Sequence, residues 1–413
     1  MMLPTEVKTK TDFTFSPVGL IPKDWTCYEL HEITSKERPI SYGIVQTGIN
    51  VEGGVKCIRV ININENKINE DDLITTTTEI SQSYKRTILK KDDLIMPLRG
   101  KVGEVAKVPI SLVGANLTRG VALISPLKKI SPDFLQQQIS SMHTRKILEQ
   151  SLNGSALQEI SIGLLRKIKV AIPNNFSEQT AIAEILSTCD VAIEKTNLLI
   201  SKKEKRKKAL MQNLLTGKVR FKEFANAEWG NVLLGDVTNI VMGQSPDSIS
   251  YNSDGNGIPL LQGNADIKNR VSTPRIYTNK PTKVCNVGDV LMTVRAPVGA
   301  IAKSLHHACI GRGICAFKAN QIDSEFLYQI LLNFEPKWVE FEQGSTFTSV
   351  SSTDIKELEI SIPNDKNEQV KIGSVLSFAD IEIQKLKSQL EKLKLQKKGL
   401  MQLLLTGKVR IKI

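Results

Sequence analysis

The side chains best suited to recognise a ligand in this chain are arginines, glutamines and asparagines in predicted loops. Arginine pairs bidentately with guanine, Asn or Gln pairs with adenine, and Lys or Ser binds phosphate. For any single residue, a turn position or a solvated loop charge is the competing interpretation. The candidates for base or phosphate contact are Gln46, Arg59, Arg99, Lys101, Arg119 and Ser155 in the first half, and Gln244, Gln262, Asn264, Arg295, Arg312 and Ser345 in the second.

The overall charge favours the same chemistry. Lys and Arg total 55 against 43 for Asp and Glu, which gives a net charge of +12. Such an excess favours a polyanionic partner, nucleic acid first and an anionic membrane surface second. The densest basic run, Lys202–Lys208, could lie along phosphates or receive an acidic partner. The alternative for that run is a solvated helix face near the negative end of the helix dipole.

Common catalytic chemistries are not indicated by the sequence. Thr216–Lys218 and Thr406–Lys408 read TGK, but a phosphate-binding loop needs Ser or Thr after the lysine, where this chain has valine. The motifs G-x-S-x-G, H-E-x-x-H and G-x-G-x-x-G do not occur, and neither does the Asn/Asp-Pro-Pro-aromatic motif of amino-methyltransferases. The four histidines do not align between the two halves. We therefore predict a binding and positioning protein without catalytic residues.

Cysteine and histidine usage predicts neither a metal site nor a disulfide framework. The six cysteines are scattered without a C-x-x-C pair, so reduced, buried thiols are expected. No apolar run approaches the roughly 18 residues of a membrane span, and the start of the chain lacks a signal-peptide pattern. The sequence predicts a cytoplasmic protein without a membrane association.

Two stretches repeat almost residue for residue and organise the whole chain. Lys207–Arg220 reads KKALMQNLLTGKVR and Lys397–Arg410 reads KKGLMQLLLTGKVR, at an offset of 190 positions. The same offset holds without insertion back to Gly154 and Gly344. Earlier in each half the offset drifts, so the chain is a tandem pseudo-repeat. Its first part varies in loop length, whereas its second part is fixed in length.

The fixed part begins with a strand and a helix start. Ile168–Ile172 alternates apolar and polar residues, and the second half repeats the pattern. Asn175 with Glu178, and Asp365 with Glu368, place a polar acceptor three residues before a glutamate. This spacing predicts a capping box, in which the two side chains satisfy free amides of the first helical turn.

Each fixed part then carries apolar residues at alternating spacings of four and three, the pattern of a coiled-coil seam. A helix of about 38 residues and about 55 Å is predicted in each half. Helices of this length with one apolar stripe need a partner, and an antiparallel pair of the two copies would supply it. The alternative is that each helix packs only on its own globular domain. Thr196, Lys203 and Lys207 are polar entries in the seam, either register-setting or open towards another subunit. The apolar seam positions are Ile182, Leu186, Ile193, Ile200, Leu210, Leu214, Ile372, Leu376, Ile383, Leu386, Leu390, Leu393, Leu400 and Leu404.

The predicted fold class is α+β: two α/β-type domains in tandem, joined and separated by two long antiparallel helices that form a coiled coil. The predicted bounds are 13–174 for the first domain, 175–222 for the central helix, 223–364 for the second domain and 365–413 for the C-terminal helix. A shared framework with divergent loops is how one scaffold is adapted to two targets.

This pattern resembles the DNA-specificity subunit of Type I restriction-modification systems over essentially the whole chain. The resemblance is carried by the Ile-Pro to Glu-Gln segments Ile172–Gln179 and Ile362–Gln369, by the Gly-Ser pairs and by the LLTGKVR tails. It implies that the two domains are target-recognition domains, each reading one half of a split, asymmetric site in double-stranded DNA. The helices would set the unspecified spacer between the half-sites.

The resemblance also implies partners. Two methyltransferase subunits would dock on the helices and their flanks, and a restriction/translocase subunit would join for cleavage. S-adenosylmethionine, ATP and magnesium would belong to those subunits, so no cofactor is expected in this chain. The alternatives are the specificity module of a related Type II-like or fused system, and a coiled-coil scaffold without a role on DNA.

Overall fold

The computed structural model describes residues 5–7, 12–152, 159–342 and 350–411. Two of the recognition candidates, Ser155 and Ser345, lie outside the described residues. The chain divides into two compact units, Met1–Lys195 with Leu390–Ile413 (unit 1) and Thr196–Gln389 (unit 2). Each unit therefore combines one globular part with segments of both long helices.

The elements of the first half are short strands followed by helices, and the last helix is long. The strands are β1 Thr5–Val7, β2 Phe13–Ser16, β3 Gly19–Pro22, β4 Trp25–Glu29, β5 Ser41–Tyr42, β6 Val55–Ile58, β7 Ile63–Asn64, β8 Lys67–Ile68, β9 Ile74–Thr76, β10 Leu94–Pro97, β11 Ala106–Lys107, β12 Asn116–Leu117, β13 Val121–Ile124 and β14 Lys169–Pro173. The helices are α1 Thr78–Ser83, α2 Pro132–Ile139, α3 Met142–Gln150, α4 Ile162–Lys167 and α5 Phe176–Leu214.

The second half repeats this plan. Its strands are β15 Trp229–Leu233, β16 Thr238–Met242, β17 Tyr251–Asn252, β18 Ile258–Leu261, β19 Ile267–Lys268, β20 Val271–Ser272, β21 Ile276–Thr278, β22 Val284–Cys285, β23 Val290–Thr293, β24 Ile301–Lys303, β25 Ala308–Ile310, β26 Ile314–Ala319, β27 Glu359–Pro363 and β28 Val409–Ile411. Its helices are α6 Leu234–Val237, α7 Ser324–Glu342, α8 Ser352–Lys356 and α9 Lys366–Leu404.

In each unit, fully buried strands separate two hydrophobic cores. Successive side chains of a strand point to opposite faces, so Leu94 and Met96 of β10 enter the core that packs on the helices, whereas Ile95 enters the second core. In unit 2, Met292 and Leu291 of β23 divide in the same way. Strands buried on both faces read as unbroken apolar runs, which explains why these segments show no period-two pattern in the sequence.

Each unit contains two main sheets, and the second sheet of each unit holds a parallel strand pair. In unit 1, the orders are β11-β10-β13-β5 and β12-β6-β9, and β12 runs parallel to β6. In unit 2, the orders are β16-β26-β23-β24-β20-β19 and β17-β21-β18-β25-β22, and β18 runs parallel to β25. The tryptophan-marked strands pair with the strands that lead into the long helices, Trp25 with Pro173 and Trp229 with Pro363.

Each long helix has 39 residues, or about 58 Å at 1.5 Å per residue. Asn175 Oδ1 accepts from Ser177 N at 2.9 Å, and Asp365 Oδ1 accepts from Asn367 N at 2.8 Å. Both residues thus cap their helix through the second amide of the first turn. The predicted capping box is wrong in its other half, because the carboxylates of the two glutamates bind arginines instead.

Candidate nucleic-acid interface and the helices behind it

The candidate residues of unit 1 gather at the carboxyl ends of parallel strands. Arg59 follows β6, and Arg119 lies two residues after β12, beside it in the sheet. The backbone N–H of Arg119 donates to the carbonyl of Ile44 at 2.8 Å, which brings the loop that carries Gln46 to the same place. Carboxyl ends of neighbouring parallel strands are a usual position for ligand-binding loops.

Arg99 joins this edge from an antiparallel strand. Leu98 N donates to Gly120 O at 2.8 Å, just after the end of β10. A Cβ atom built on Gly120 would lie 3.6 Å from Arg99 Nε, so the guanidinium lies beside the backbone that follows Arg119. The edge residues Gln46, Arg59, Arg99, Lys101 and Arg119 are called reading edge 1 below.

Within reading edge 1, two of the basic side chains are already bound by the protein. Arg59 Nη2 donates to the Asp72 carboxylate at 2.8 Å and to its carbonyl at 2.6 Å. Lys101 Nζ donates to Ile63 O at 3.0 Å and to Asn64 Oδ1 at 2.8 Å. The other three members are exposed. Arg59 and Lys101 therefore organise the edge, and the exposed members are the ones free to meet a ligand.

Unit 2 builds an equivalent edge from equivalent strands. Gln262 follows β18, and Arg312 lies two residues after the parallel strand β25. Gln244 N donates to Ile310 O at 2.8 Å, and Ser245 Oγ accepts from Arg312 N at 3.2 Å. The three segments that carry these side chains therefore meet at one place.

The remaining candidates of unit 2 lie at the same edge. Val294 N donates to Gly313 O at 3.0 Å, which sets Arg295 beside the segment of Arg312. Asn264 is exposed and lies two residues after Gln262. The edge residues Gln244, Gln262, Asn264, Arg295 and Arg312 are called reading edge 2 below.

The two edges share a backbone plan but differ in side-chain chemistry. Arg59, at the end of β6, corresponds to Gln262 at the end of β18, whereas Arg119 and Arg312 follow the partner strands in both units. Among the exposed members, reading edge 1 presents Gln46, Arg99 and Arg119, whereas reading edge 2 presents Gln244, Asn264, Arg295 and Arg312. Guanidinium groups favour guanine and amides favour adenine, so the two edges suit different base sequences.

Behind the edges, the predicted seam positions of α5 and α9 are all at least half-buried. The buried ones are Ile182, Leu186, Ile200, Leu214, Ile372, Leu376, Ile383, Leu390 and Leu404, and the half-buried ones are Ile193, Leu210, Leu386, Leu393 and Leu400. In unit 1, Leu186 and Leu404 belong to the same core as Phe134 of α2. In unit 2, Leu214 and Leu376 share a core with Phe326 of α7. Each helix segment thus packs both on the other helix and on the globular part of its unit.

In unit 1, a carboxylate ties three elements together. Asp190 of α5 accepts from Lys397 Nζ of α9 at 2.6 Å and from Gln137 Nε2 of α2 at 2.9 Å. The lysine side chain is only 16% exposed, so a misplaced register would leave its charge partly buried and unpaired.

Unit 2 repeats the arrangement, but here the aspartate lies on α9 and the lysine lies on α5. Asp380 of α9 accepts from Lys207 Nζ of α5 at 2.5 Å and from Gln329 Nε2 of α7 at 2.9 Å. Lys203 pairs with Glu382 at 2.6 Å. The lysines that interrupt the first seam therefore form interhelical ion pairs. Taken together, the two pairs require antiparallel segments, because the residue number rises along α5 while it falls along α9.

The LLTGKVR tails end in arginines that bind the start of the other long helix. In unit 1, Arg410 is 9% exposed and its Nη2 lies 2.6 Å from Glu178 Oε2 and 2.6 Å from Asp24 Oδ2. Its guanidinium carbon lies 6.0 Å from the centre of the Trp25 ring. The hydrogen bond to Asp24 raises the pKa of Arg410 above its ordinary value, burial lowers it, and Glu178 raises it again.

In unit 2, Arg220 binds Glu368 with a bidentate pair of hydrogen bonds, at 2.9 Å from Nε and 2.5 Å from Nη2. Its guanidinium carbon lies 6.0 Å from the centre of the Trp229 ring. Both tails thus cross to the helix of the other copy. The sequence shows the repeated arginine and the repeated glutamate, but not that they are partners.

The glutamine next to each of these glutamates closes the strand-to-helix corner. Gln179 Nε2 donates to Pro173 O at 2.9 Å, and its Oε1 accepts from Ser131 N at 2.7 Å. Gln369 makes the matching pair of contacts in unit 2. The repeated Glu-Gln dipeptide is therefore structural. Its glutamate binds the arginine of the LLTGKVR tail, and its glutamine bonds to the strand end before the helix.

Within the described ranges, His, Cys, Asp and Glu side chains form no group of three or more that could hold a metal ion. Over the same ranges, no helix combines the length and apolar character needed to cross a membrane.

Comparisons with known proteins place this chain among specificity proteins. The family model of the Type I restriction modification DNA specificity domain matches residues 22–202 and again 226–395. A protein of Methanocaldococcus jannaschii named "Putative type I restriction enzyme MjaX specificity subunit" is 32% identical over 100% of both chains. The EcoBI specificity subunit of Escherichia coli is 33% identical over 38% of this chain and 33% of its own length.

Solved structures show the same fold. The S subunit of a Type I restriction-modification system from M. genitalium superposes with a TM-score of 0.63 at 17% identity, covering 92% of this chain and 96% of that one. A chain from a study of complex assembly and conformational transition of the Type I system superposes with a TM-score of 0.57 at 23% identity, covering 94% and 99%. With two matches of the family model and a relative aligned over its full length, this chain belongs to the Type I restriction-modification DNA specificity family.

Proposed function

We propose that this chain is the DNA-specificity subunit of a Type I restriction-modification enzyme, and that each reading edge recognises one half of a bipartite, asymmetric site. The observation that carries the proposal is the pair of equivalent strand edges with different hydrogen-bonding side chains. Base edges in the major groove present distinct donor and acceptor patterns. Two edges of unlike chemistry on one scaffold are suited to two unlike half-sites.

The two long helices set the spacer between the half-sites in this proposal. In each unit, interhelical ion pairs fix the register of the two helix segments, and the spacer follows from that register in this proposal. Two methyltransferase subunits dock on the helices and their flanks, and a restriction/translocase subunit joins for cleavage. The chain itself is non-catalytic and acts in the cytoplasm, while S-adenosylmethionine, ATP and magnesium bind to the partner subunits.

The proposal is tested by producing the chain with its methyltransferase subunits and mapping methylated adenines in cellular DNA. The expected result is one bipartite motif with a constant spacer. Arg119→Ala should relax the motif in one half only, and Arg312→Ala should relax it in the other half only, because each arginine lies on a different reading edge.

Purified complexes give a second readout. Each base-contacting arginine should contribute about 1–3 kcal/mol of discrimination against a wrong base. Lys128→Gln removes an exposed cation outside both edges and serves as the control. A motif without two separable halves, or duplex binding that is indifferent to salt, would reject the proposal.

A further inference from the structure

A cationic pocket in unit 1 lies outside reading edge 1. Its volume is about 330 Å³, and its lining includes Arg86, Arg166, Tyr42 and Tyr84 together with small hydroxyl side chains. The described residues that line it include no Asp or Glu. Two guanidinium groups thus face one cavity without a carboxylate among the lining residues to neutralise them.

One of the two arginines is fixed by the backbone. Arg166 donates to Ile40 O through Nε at 3.1 Å and through Nη2 at 2.7 Å, which holds the guanidinium in place and leaves Nη1 for another acceptor. Arg86 is exposed and forms no ion pair with a described residue. An arginine fork of this kind matches the oxygens of a phosphate.

A buried hydroxyl in the pocket lacks a partner. Ser41 Oγ is inaccessible and makes no hydrogen bond with the described residues. The neighbouring Thr87 hydroxyl, by contrast, donates to Asn116 Oδ1 at 2.7 Å. The Ser41 oxygen is closed to a water-sized molecule, so the contacts to a ligand in the cavity come from the two arginines.

The pocket adjoins the strands that carry reading edge 1. Tyr42 pairs with Ala122 of β13, two residues before Ile44, which bridges to Thr118. Asn116, the partner of the Thr87 hydroxyl, lies three residues before Arg119, a distance of about 10 Å at most along an extended chain. The pocket and the edge are thus close enough to meet one stretch of a single DNA strand.

Unit 2 keeps only part of this pocket chemistry, because Arg166 corresponds to Lys356 at the offset of 190. Ile44 N donates to Leu117 O at the end of β12, and Gln244 N donates to Ile310 O at the end of β25. Ile44 and Gln244 therefore correspond, so Tyr42 corresponds to Met242 and Ser41 corresponds to Val241. These aliphatic side chains cannot donate to an anion. The hydroxyl groups of Ser41 and Tyr42 are therefore not required by the scaffold.

We propose that this pocket binds one phosphate of the DNA backbone beside the half-site read by unit 1. Arg86 and Arg166 Nη1 donate to its non-bridging oxygens. Such a contact carries no sequence information but fixes the position of the reader on the duplex. This inference rests on the proposed function of the chain.

The first test measures binding of the complex with its methyltransferase subunits to a duplex that carries the mapped site, from 50 to 200 mM salt. Losing one phosphate contact lowers the slope of log K against log salt by about 0.9. Arg86→Gln should therefore lose about 3- to 4-fold less affinity over this range than the parent. Its preference for the mapped site over a scrambled one should be unchanged. Lys128→Gln, the exposed control cation, should leave the slope unchanged.

The second test locates the phosphate. Duplexes carrying a single neutral methylphosphonate are scanned across the site. One position should weaken the parent complex but not Arg86→Gln, because that variant has already lost the contact. If no position distinguishes the parent from Arg86→Gln, the assignment is wrong.

A free anion is the other source of the same chemistry, and inorganic phosphate is the probe for it. If inorganic phosphate binds the parent but not Arg86→Gln, while both show the same DNA salt slope, the pocket is a free-anion site and the DNA assignment is overturned. If the parent itself shows no preference for the mapped site, the proposed function fails. If the parent keeps its preference for the mapped site but has the same DNA salt slope as Arg86→Gln, only the assignment of the pocket to a DNA phosphate fails.

Discussion

Lys397 Nζ lies 2.6 Å from Asp190 Oδ1, and the corresponding residues of the other copies, Lys207 and Asp380, form the matching pair at 2.5 Å. Each pair joins a lysine near the end of one long helix to an aspartate nearer the start of the other. This reciprocity is possible only for antiparallel helices in one register. The ion pairs thus encode the register that the apolar seam alone would leave open to shifts by a heptad.

A double-mutant cycle on Asp190 and Lys397 should show a coupling of about 0.5–1 kcal/mol in urea unfolding of the full chain. The value is modest because the aspartate side chain is 42% exposed and solvent screens the pair. The exposed Glu391–Lys394 pair, three residues apart on one helix, is the control and should couple by about 0.3 kcal/mol or less. Equal coupling in both cycles would contradict a role in fixing the register.

Arg410→Ala should destabilise unit 1 by about 3–5 kcal/mol, because it leaves the Glu178 carboxylate, 3% exposed, without its partner. Arg410→Lys should recover only part of the loss, since a lysine cannot donate in a bidentate fork. Lys408→Ala, an exposed neighbour on the same tail, should change the free energy of unfolding by less than about 0.5 kcal/mol. Thermal and urea unfolding measure all three variants. An unchanged free energy of unfolding in Arg410→Ala would refute the role of Arg410 in anchoring the C-terminal tail.

Two glycines near the C-terminus should respond in opposite directions to alanine. Gly407 has φ +65°, and a Cβ there would lie 2.3 Å from Pro22 Cγ, so Gly407→Ala should destabilise by 1 kcal/mol or more, at least about the cost of the left-handed backbone. Gly399 lies inside α9 with nothing within 4 Å of a built Cβ, so Gly399→Ala should stabilise by up to about 1 kcal/mol. The repeat supports the second expectation, because Ala209 stands at the corresponding position of α5. Tm shifts of the same sign in the two variants would contradict one of the two expectations.

Inserting four residues after Ile193 and four after Ile383 should lengthen the tolerated DNA spacer without altering either half-site. Four helical residues add about 6 Å, the rise of about two base pairs. The insertions leave the Asp190–Lys397 and Lys203–Glu382 pairs in register, because each pair lies on one side of both insertion points. Methylation mapping reads the outcome. An unchanged spacer in a folded, active complex would reject the role of the helices as a ruler.

The stability of unit 2 should depend on pH through Glu325 of α7. Burial raises the pKa of this carboxyl group, but hydrogen bonds from Lys303 and Ser377 outweigh burial and hold the pKa below its usual value. A carboxylate with a lowered folded-state pKa stabilises the fold above the unfolded value of about 4.3, and that contribution is lost as pH falls through the folded-state pKa.

Glu325→Gln should therefore be less stable than the parent at pH 7, by less than about 1 kcal/mol because the side chain is 42% exposed. The difference should shrink as the pH falls below about 4. Urea unfolding between pH 7 and pH 3.5 measures it. A difference that is constant across this range would show that the carboxylate charge has no part in it.

Much of the fold follows from local patterns in the sequence. The strands before each helix and the tandem organisation are confirmed, because apolar periodicity and an uninterrupted repeat reflect the structure directly. The domain bounds, the seam and the base contacts remain predictions. The capping box was wrong because a local rule assigned Glu178 and Glu368 to their own helix, whereas arginines far along the chain bind them more strongly as charged, buried partners.

The sequence by itself determined that the chain is two copies of one unit, with a long helix in each and basic or amide side chains in the loops. Only the tertiary structure decided which charges meet, because Arg410 and Glu178 lie 232 positions apart and no local pattern encodes such a distance. It also decided that Arg59 and Lys101 are held by the protein while Arg99 and Arg119 stay exposed. The physical reason is that folding brings together strand ends and helix ends that are distant in the sequence. Only then is it determined which side chains bind other protein groups and which remain exposed to a ligand.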